Sequence, residues 1–372
     1  MTTRTASKNR VIVFLTALLI SVVTQAAVYL PSSWAGEDIA ALRAKAEAGD
    51  AKVQNHLGLA YYYGQGVPQD YGNAAHCYRL AANQGYAQAQ GVLGDLYYNG
   101  QGVPQDFGKA AHWYRLAANQ GYVQAQYNLG LAYYFGQGVP QDFGKAAHWY
   151  RLAANQGYAQ AQYNLGVAYY NGQGVPQDFG KATHWVRLAA NQGLAQAQCG
   201  LGVAYASGKG VLQDFGKAAH WVRLAANQGH AQAQGFLGVL DYYGQGVPQD
   251  FGKAAHWVRL AANQGYAQAQ GFLGDLYYNG QGVPKNYRKA AHWYRLAANQ
   301  GNADAQANLG DLYCNGRGVP LDFGKAYKWL LLSKAAGNGN AEKRINFLMP
   351  HMTSDQIAEG QRLAREWTSV KK

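Results

Sequence analysis

The sequence predicts an all-α solenoid, and three observations predict it. The string Gly-x-Gly-Val begins at Gly64, Gly100, Gly136, Gly172, Gly208, Gly244, Gly280 and Gly316, a spacing of 36 residues that never slips. A fixed period in that range marks a tandem array of small supersecondary units. Within each period, apolar residues recur at helical spacing on both sides of a single link. Finally, the 47 glycines and 29 tyrosines crowd into a few positions of the period, so the biased composition is duplication rather than disorder. Such an array lacks an enclosed core for a catalytic site and offers a long face for partners.

The first 35 residues read as an export signal. Arg4, Lys8 and Arg10 form a basic leader, an apolar run follows from Val11 to Val23, and Ser33-Trp34-Ala35 places small residues before Gly36. Cleavage is expected after Ala35, with Ala26 as a second position. The rival reading is an uncleaved inner-membrane anchor, because Val11 to Leu30 is about long enough to span a bilayer. On either reading the repeats face the periplasm or are secreted. Loss of the leader lowers the net charge from +12 to +9, still basic.

Residues 121–156 illustrate one repeat. Ala125, Leu129, Ala132 and Tyr133 share one face of a first helix, which Gly136 ends in the manner of a left-handed cap. Gly130 beside that face predicts close approach of another helix. Pro140 bars helix from the link, and Asp142 stands where an N-cap is wanted. A second helix then runs from Phe143 to Gln156, with Ala146, Trp149, Tyr150, Ala153 and Ala154 on its apolar side, and stops at Gly157. Each hairpin is covered only when neighbours stack on both sides.

The predicted organisation is therefore a signal or anchor at 1–35, a capping half-repeat at 36–50, eight repeats at 51–345, and a capping helix with a basic tail at 346–372. Thr353-Ser-Asp-Gln356 fits a capping box that opens this last helix, and Arg362, Arg365, Lys371 and Lys372 give it a polar exterior. Cys77, Cys199 and Cys314 lie in three different repeats, an odd set that argues against a disulfide framework.

The pattern Ala125-Gln-x-x-Leu129-Gly130-x-x-Tyr133-x-x-Gly136-x-Gly138-Val139-x-x-Asp142-x-x-Lys145-Ala146-x-x-Trp149-x-x-x-Ala153-Ala154-x-x-Gly157 resembles the Sel1-like repeat, a relative of the tetratricopeptide repeat with a longer inter-helix loop. The resemblance covers residues 37–345, and the closing helix resembles a terminal segment of bacterial members. It implies a right-handed superhelix, adaptor work in bacterial envelopes or host contact, and no catalytic residues. Four positions depart from the pattern: Cys77 replaces a tryptophan, Leu212 a loop proline, Asp241 a core tyrosine and Asn286 a capping aspartate. For Asp241 the expectation is a local register adjustment, with Tyr242 or Tyr243 filling the gap.

Candidate chemistry is sparse. His76, His112, His148, His184, His220, His256 and His292 recur at one position, but one imidazole per repeat cannot assemble a zinc site, since packed helices stand about 8–10 Å apart and zinc–nitrogen bonds are about 2 Å. They are expected on the solvated side, with a response to pH as the residual use. The sequence contains no dinucleotide or phosphate loop, nucleophile elbow or cofactor motif, so an enzyme is not expected. Arg115, Arg151, Arg187, Arg223 and Arg259 belong to a basic outer row beside the lysine row, read either as a solubilising face or as a surface for an anionic glycan or other polyanion. Nucleic acid is not expected as a partner.

The leading expectation is a protein or peptide partner held along the exposed side of the first helices, which the resemblance places on a concave surface. Three variable rows mark that side: Asn55 to Ala307, Leu59 to Asp311, and a mainly tyrosine row from Tyr62 to Cys314. The expected contacts are Tyr127, Leu131, Tyr134, Tyr163, Val167 and Tyr170, since tyrosine combines contact area with a polar tip. The alternative for these tyrosines is packing between repeats. A secreted host-directed factor is a further reading of the same surface.

Overall fold

The computed structural model describes residues 39–370, so the leader, its cleavage positions and the last two lysines lie outside the described residues. Among these residues there are nineteen α-helices, one short 3₁₀ turn and no strand. They form two compact units, divided between Gln141 and Asp142.

The first unit holds α1 (Ile39–Glu47), α2 (Ala51–Tyr63), α3 (Tyr71–Asn83), α4 (Ala87–Asn99), α5 (Phe107–Asn119) and α6 (Val123–Phe135). The second holds α7 (Phe143–Asn155), α8 (Ala159–Asn171), α9 (Phe179–Asn191), α10 (Ala195–Ser207), α11 (Phe215–Asn227), α12 (Ala231–Tyr243) and α13 (Phe251–Asn263). It continues with α14 (Ala267–Asn279), α15 (Tyr287–Asn299), α16 (Ala303–Asn315), α17 (Phe323–Ala335), α18 (Ala341–Leu348) and α19 (Ser354–Val370). Even-numbered helices from α2 to α16 are first helices and the odd-numbered ones that follow are second helices. Within each unit consecutive helices pack in tandem, as an all-α solenoid requires.

Local chemistry sets the helix ends. The carboxylates of Asp70, Asp106, Asp142, Asp178, Asp214, Asp250 and Asp322 accept the amide three residues on, capping the second helices. Asn286 does the same with its amide oxygen at 2.9 Å, so its departure from the pattern keeps the cap. First helices end at a left-handed glycine such as Gly100 (φ 70°). Second helices close with paired bonds of the Schellman type, Gly157 to Ala154 and Tyr158 to Ala153.

Close approach explains two glycine rows. A methyl group on Gly94 would stand 2.6 Å from the Tyr114 ring, and one on Gly166 2.7 Å from Val186, so hairpin partners touch at these points. The second glycine of the link is more constrained. A methyl group on Gly102 would overlap the Tyr71 carbonyl of the preceding second helix, and Gly174 stands likewise against Phe143. Alanines fill the interior of the second helices beside a buried large residue, as Tyr114 in α5 and Val222 in α11, whereas the corresponding Val186 of α9 is half-buried. Trp113, Trp149, Trp185, Trp221, Trp257 and Trp293 are only half-buried, which corrects the expectation of a buried tryptophan.

A buried glutamine ladder ties successive hairpins. Gln90 donates to the Ala82 carbonyl at 3.1 Å and accepts from Gln120 at 2.7 Å. Gln162, Gln198, Gln234 and Gln270 repeat the arrangement in the second unit. The ladder stops in the last repeat, where Ala336 stands in the place of the donor glutamine and the buried Gln306 Oε1 has no hydrogen-bond partner.

The ends follow the same rules. Arg43 of α1 bonds Tyr61 at 2.9 Å and the Ala46 carbonyl accepts Gln54, contacts otherwise made by second helices, so α1 is a lone second helix. At the other end Thr353 and Gln356 form the reciprocal capping box, with bonds of 3.0 and 3.3 Å. Helix α19 then packs on α17 through Trp367 against Trp329 and through Gly360, where a methyl group would stand 2.8 Å from the Gly324 carbonyl oxygen.

Gly174→Ala and Gly157→Ala separate close approach from backbone conformation. Both residues have positive φ (72° and 87°), but nothing lies within 4 Å of a methyl group on Gly157. Urea melts followed by circular dichroism are expected to show a loss of about 1–2 kcal/mol for Gly157→Ala. For Gly174→Ala the expected loss is about 4 kcal/mol or more. Equal losses would remove the steric explanation.

Candidate partner-binding face

The basic rows serve the stack itself. Arg79, Arg115, Arg151, Arg187 and Arg295 each donate to the hydroxyl of a tyrosine 18 residues on, in the next first helix, at 2.9–3.3 Å. From the other side Lys109, Lys181, Lys217, Lys289 and Lys325 lie over the rings of Tyr97, Tyr169, Tyr205, Tyr277 and Tyr313, 5.3–5.9 Å from their centroids. The same lysine row, where the cap is aspartate, pairs with it at 2.9–3.5 Å. Arg115, Arg151 and Arg187 of the expected basic outer row are half-buried or exposed and also staple neighbouring hairpins. Arg223 faces Asp241, and Arg259 is exposed.

Asp241 follows from this clamp. Helix α12 keeps the length and the Gly244 cap of its counterparts, so the expected register adjustment does not occur. The carboxylate occupies the tyrosine's place, 3% exposed. Burial raises its pKa, while Arg223 and Lys253, the two cations that would have held the tyrosine, pull it down. Tyr242 keeps its ordinary role.

The six proposed contact residues are not a continuous exposed set. Tyr127 is 2% exposed and so is interior, a correction to its assignment. Its row is a packing row, in which Gly91 makes room for Tyr122 and Gly235 for Tyr266. Tyr163 packs on Ala189, Ala190, Ala197 and Leu201 between hairpins, and burial pushes its phenol up to about 12. Leu131, Tyr134 and Val167 are half-buried, and Tyr170 is 41% exposed. The hydroxyl of Tyr170 accepts from Lys209 at 3.0 Å, as that of Tyr278 does from Arg317 at 2.8 Å. Tyr62, Tyr98 and Tyr242 instead donate to Gln101, Gln137 and Gln281 in the following link. Packing between repeats therefore claims most of the tyrosine row.

A row that sequence reasoning passed over lies beside Leu59 to Asp311. It consists of His56, Val92, Asn128, Asn164, Gly200, Phe236, Phe272 and Asn308. Asp95 accepts Asn128 at 2.9 Å and the Tyr114 hydroxyl at 2.8 Å. Asp275 accepts Asn308 at 3.1 Å and Tyr294 at 2.7 Å. The two rows thus meet with an offset of 33 residues, and the i, i+4, i+7 spacing of Gln124, Asn128 and Leu131 was the signal available. Between the polar pairs, Val203 (41% exposed) and Val239 take the aspartate's place, and half-buried Phe236 and Phe272 take the asparagine's.

The histidines His112, His148, His184, His220, His256 and His292 are exposed and stand edge-on to the adjacent tryptophan at 5.2–5.5 Å. Among the described residues no group of three metal-ligating side chains converges. Burial lifts the Cys77 and Cys314 thiols to about 11 and that of Cys199 to about 12, keeping them protonated. No described helix is long and apolar enough to cross a membrane.

Tandem α-hairpins with a fixed link and a variable face define a repeat protein of the interaction-scaffold class. The Sel1 repeat model matches eight consecutive segments, from 51–86 to 303–338, and the chain belongs to the Sel1 repeat family. A Sel1 repeat protein from Oxalobacter formigenes is 37% identical, with 84% of this chain and 90% of that one covered and a TM-score of 0.64. A protective antigen of uropathogenic Escherichia coli with an SLR fold is 31% identical over 88% and 86%, with a TM-score of 0.48. No curated protein matches. Proteins of this family are generally non-enzymatic scaffolds for protein–protein interaction.

Two substitutions test the electrostatics. Burial, opposed by the bonds from Tyr114 and Asn128, raises Asp95 from 3.8 to about 6. The fold therefore prefers the neutral acid: its contribution is complete below about pH 4 and is lost as pH rises through about 6. Asp95→Asn should flatten stability over that window and raise it at pH 7 by about 2 kcal/mol, measured by urea melts across pH. Asp241→Tyr should restore the clamp and add about 1 kcal/mol, whereas a loss would mean that the carboxylate is the better partner for Arg223.

Proposed function

We propose that this chain is an exported bacterial adaptor that holds a protein or peptide partner on the side chains of its first helices. One observation carries the reading. Apart from the exposed histidine row, most residues that repeat without change serve the stack as caps, ladders, staples and close glycine contacts. Variation is concentrated on the first-helix face, from Leu59, Asp95 and Leu131 to Val239, Asp275 and Asp311. A scaffold held constant beneath a changing surface is suited to recognition rather than chemistry.

A second reading draws on charge segregation. In α5, α7, α9, α11, α13, α15 and α17 every charged residue is basic, which suits an anionic glycan. Against it, the arginines and lysines already serve tyrosines and N-caps. Export rests on the leader, with the periplasm or the exterior as the destination, or a periplasm-facing anchor if the leader is retained.

Two measurements test these readings. A phosphatase reporter fused to residues 1–35 should be active only outside the cytoplasm, and the mature chain should begin at Gly36; a cytoplasmic, full-length product would overturn export. Immobilised chain exposed to an envelope extract should retain a discrete protein at high salt. Polyanions lost at high salt, with no protein left, would transfer the function to the basic side.

A further inference from the structure

We propose that the first-helix face of the second unit, from Val203 to Phe347, docks a peptide segment of another protein in which basic residues lie between two apolar ones. The proposal rests on the adaptor reading and gives it a site and a partner chemistry.

The register extends beyond the eighth repeat. Counted by the 36-residue period, Arg344 of α18 continues the row of Asn308, and Phe347 continues the row of Asp311. The bonds agree with this placement: Arg344 reaches Asn308 at 3.3 Å and Asp311 at 2.7 Å. Its neighbours Ile345 and Leu348 are buried, whereas Phe347 is 78% exposed. A phenyl ring left in water at the end of an array whose other phenylalanines pack down marks a contact surface rather than a core position.

Along this face the chemistry changes in order. Gly200, Val203, Phe236, Val239 and Phe272 come first and are apolar, with Val203 open to solvent at 41%. Asp275, Asp304 and Asp311 follow, and Phe347 closes the row. Asp304, Asn308 and Asp311 lie at i, i+4 and i+7, so they share one side of α16, and Asp304 acts electrostatically on Asp275. Of these carboxylates Asp311 is paired with Arg344, whereas Asp275 accepts from Tyr294 and Asn308 and Asp304 from Asn338, none of them a cation. Helices α8, α10, α12, α14 and α16 carry no lysine or arginine; their remaining charge is Asp241, buried at the Arg223 clamp. A chain with net charge +12 therefore presents a locally acidic stretch between two apolar ends.

That order selects the partner. An apolar residue near Val203 and Phe236, a cation opposite Asp275, Asp304 and Asp311, and a second apolar residue against Phe347 satisfy each part of the row. An acidic ligand meets like charge at the centre.

The test pans a random peptide library on the full chain, with counter-selection on Val203→Glu/Phe347→Ser. Both side chains are exposed, and a circular dichroism melt matching the wild type confirms that the variant folds; Phe347→Ser alone serves if it does not. Selected peptides are expected to carry Lys or Arg between apolar residues. Synthetic copies, measured by fluorescence anisotropy, should bind at least tenfold more weakly to the double variant and to Asp304→Lys, and equally well to Arg259→Ala. Acidic or patternless selections, no enrichment over the double variant, or equal affinity for it would each overturn the proposal. Self-association of the chain that the double variant abolishes would also overturn it, assigning the face to a second copy. Extract capture run in parallel separates the two levels. A protein held at high salt by wild type and double variant alike leaves the adaptor reading standing and removes this face. Retention by neither removes both.

Discussion

Everything periodic in this protein depends on one steric contact, made from the second link onward by the second glycine of the link against the carbonyl that opens the preceding second helix. Gly102 on Tyr71, Gly138 on Phe107 and Gly174 on Phe143 are backbone against backbone, with no room for a side chain. A contact of that kind fixes where each hairpin sits on the one before it. Once it is made, the glutamine ladder and the arginine–tyrosine staples fall into register, because each spans a constant number of residues. The unbroken period is thus the trace of a packing constraint that each of these links must meet.

Upon that frame the charged residues divide the work. Basic side chains gather on the second helices, where the recurring lysine has an N-cap or a tyrosine ring nearby and most arginines have a tyrosine hydroxyl. Acidic side chains on the first helices are fewer, and Asp95, Asp275 and Asp311 each have a donor from the neighbouring hairpin. Asp241 shows how strongly the cations govern the clamp. Where the tyrosine is lost, a carboxylate is tolerated between the same two cations despite its burial.

Much of the fold was legible in the sequence because its signals are local. Asp142 as an N-cap, Gly136 as a C-cap and Thr353 with Gln356 as a capping box each need only a few residues of context, and all stand in the structure. Gly94 and Gly166, counterparts of Gly130, make the close approach that a glycine inside a helical face predicts. The candidate site was less legible because exposure is not local. Tyr127 and Leu131 lie one turn apart on the same helix, yet Tyr127 belongs to a row that is buried by packing and Leu131 does not. Only the 33-residue offset between Asp95 and Asn128, a tertiary fact, reveals which two rows run side by side. The tryptophans were misjudged for the same reason: their size suggested a core position, and the core instead takes the residue that follows them.

The orphaned acceptor of Gln306 has a consequence for how such a chain can change length. Upstream of it the glutamine pair recurs, at Gln84–Gln54, Gln120–Gln90, Gln192–Gln162, Gln228–Gln198, Gln264–Gln234 and Gln300–Gln270, so a hairpin gained or lost there meets the same ladder contact. Downstream, Ala336 supplies no amide, and α18 and α19 belong to a terminus built once. Hairpin number can therefore change within the ladder without breaking it, while the hairpin that holds Gln306 is not interchangeable with the others. A longer or shorter array would then differ in reach while keeping the ladder contact at each added hairpin.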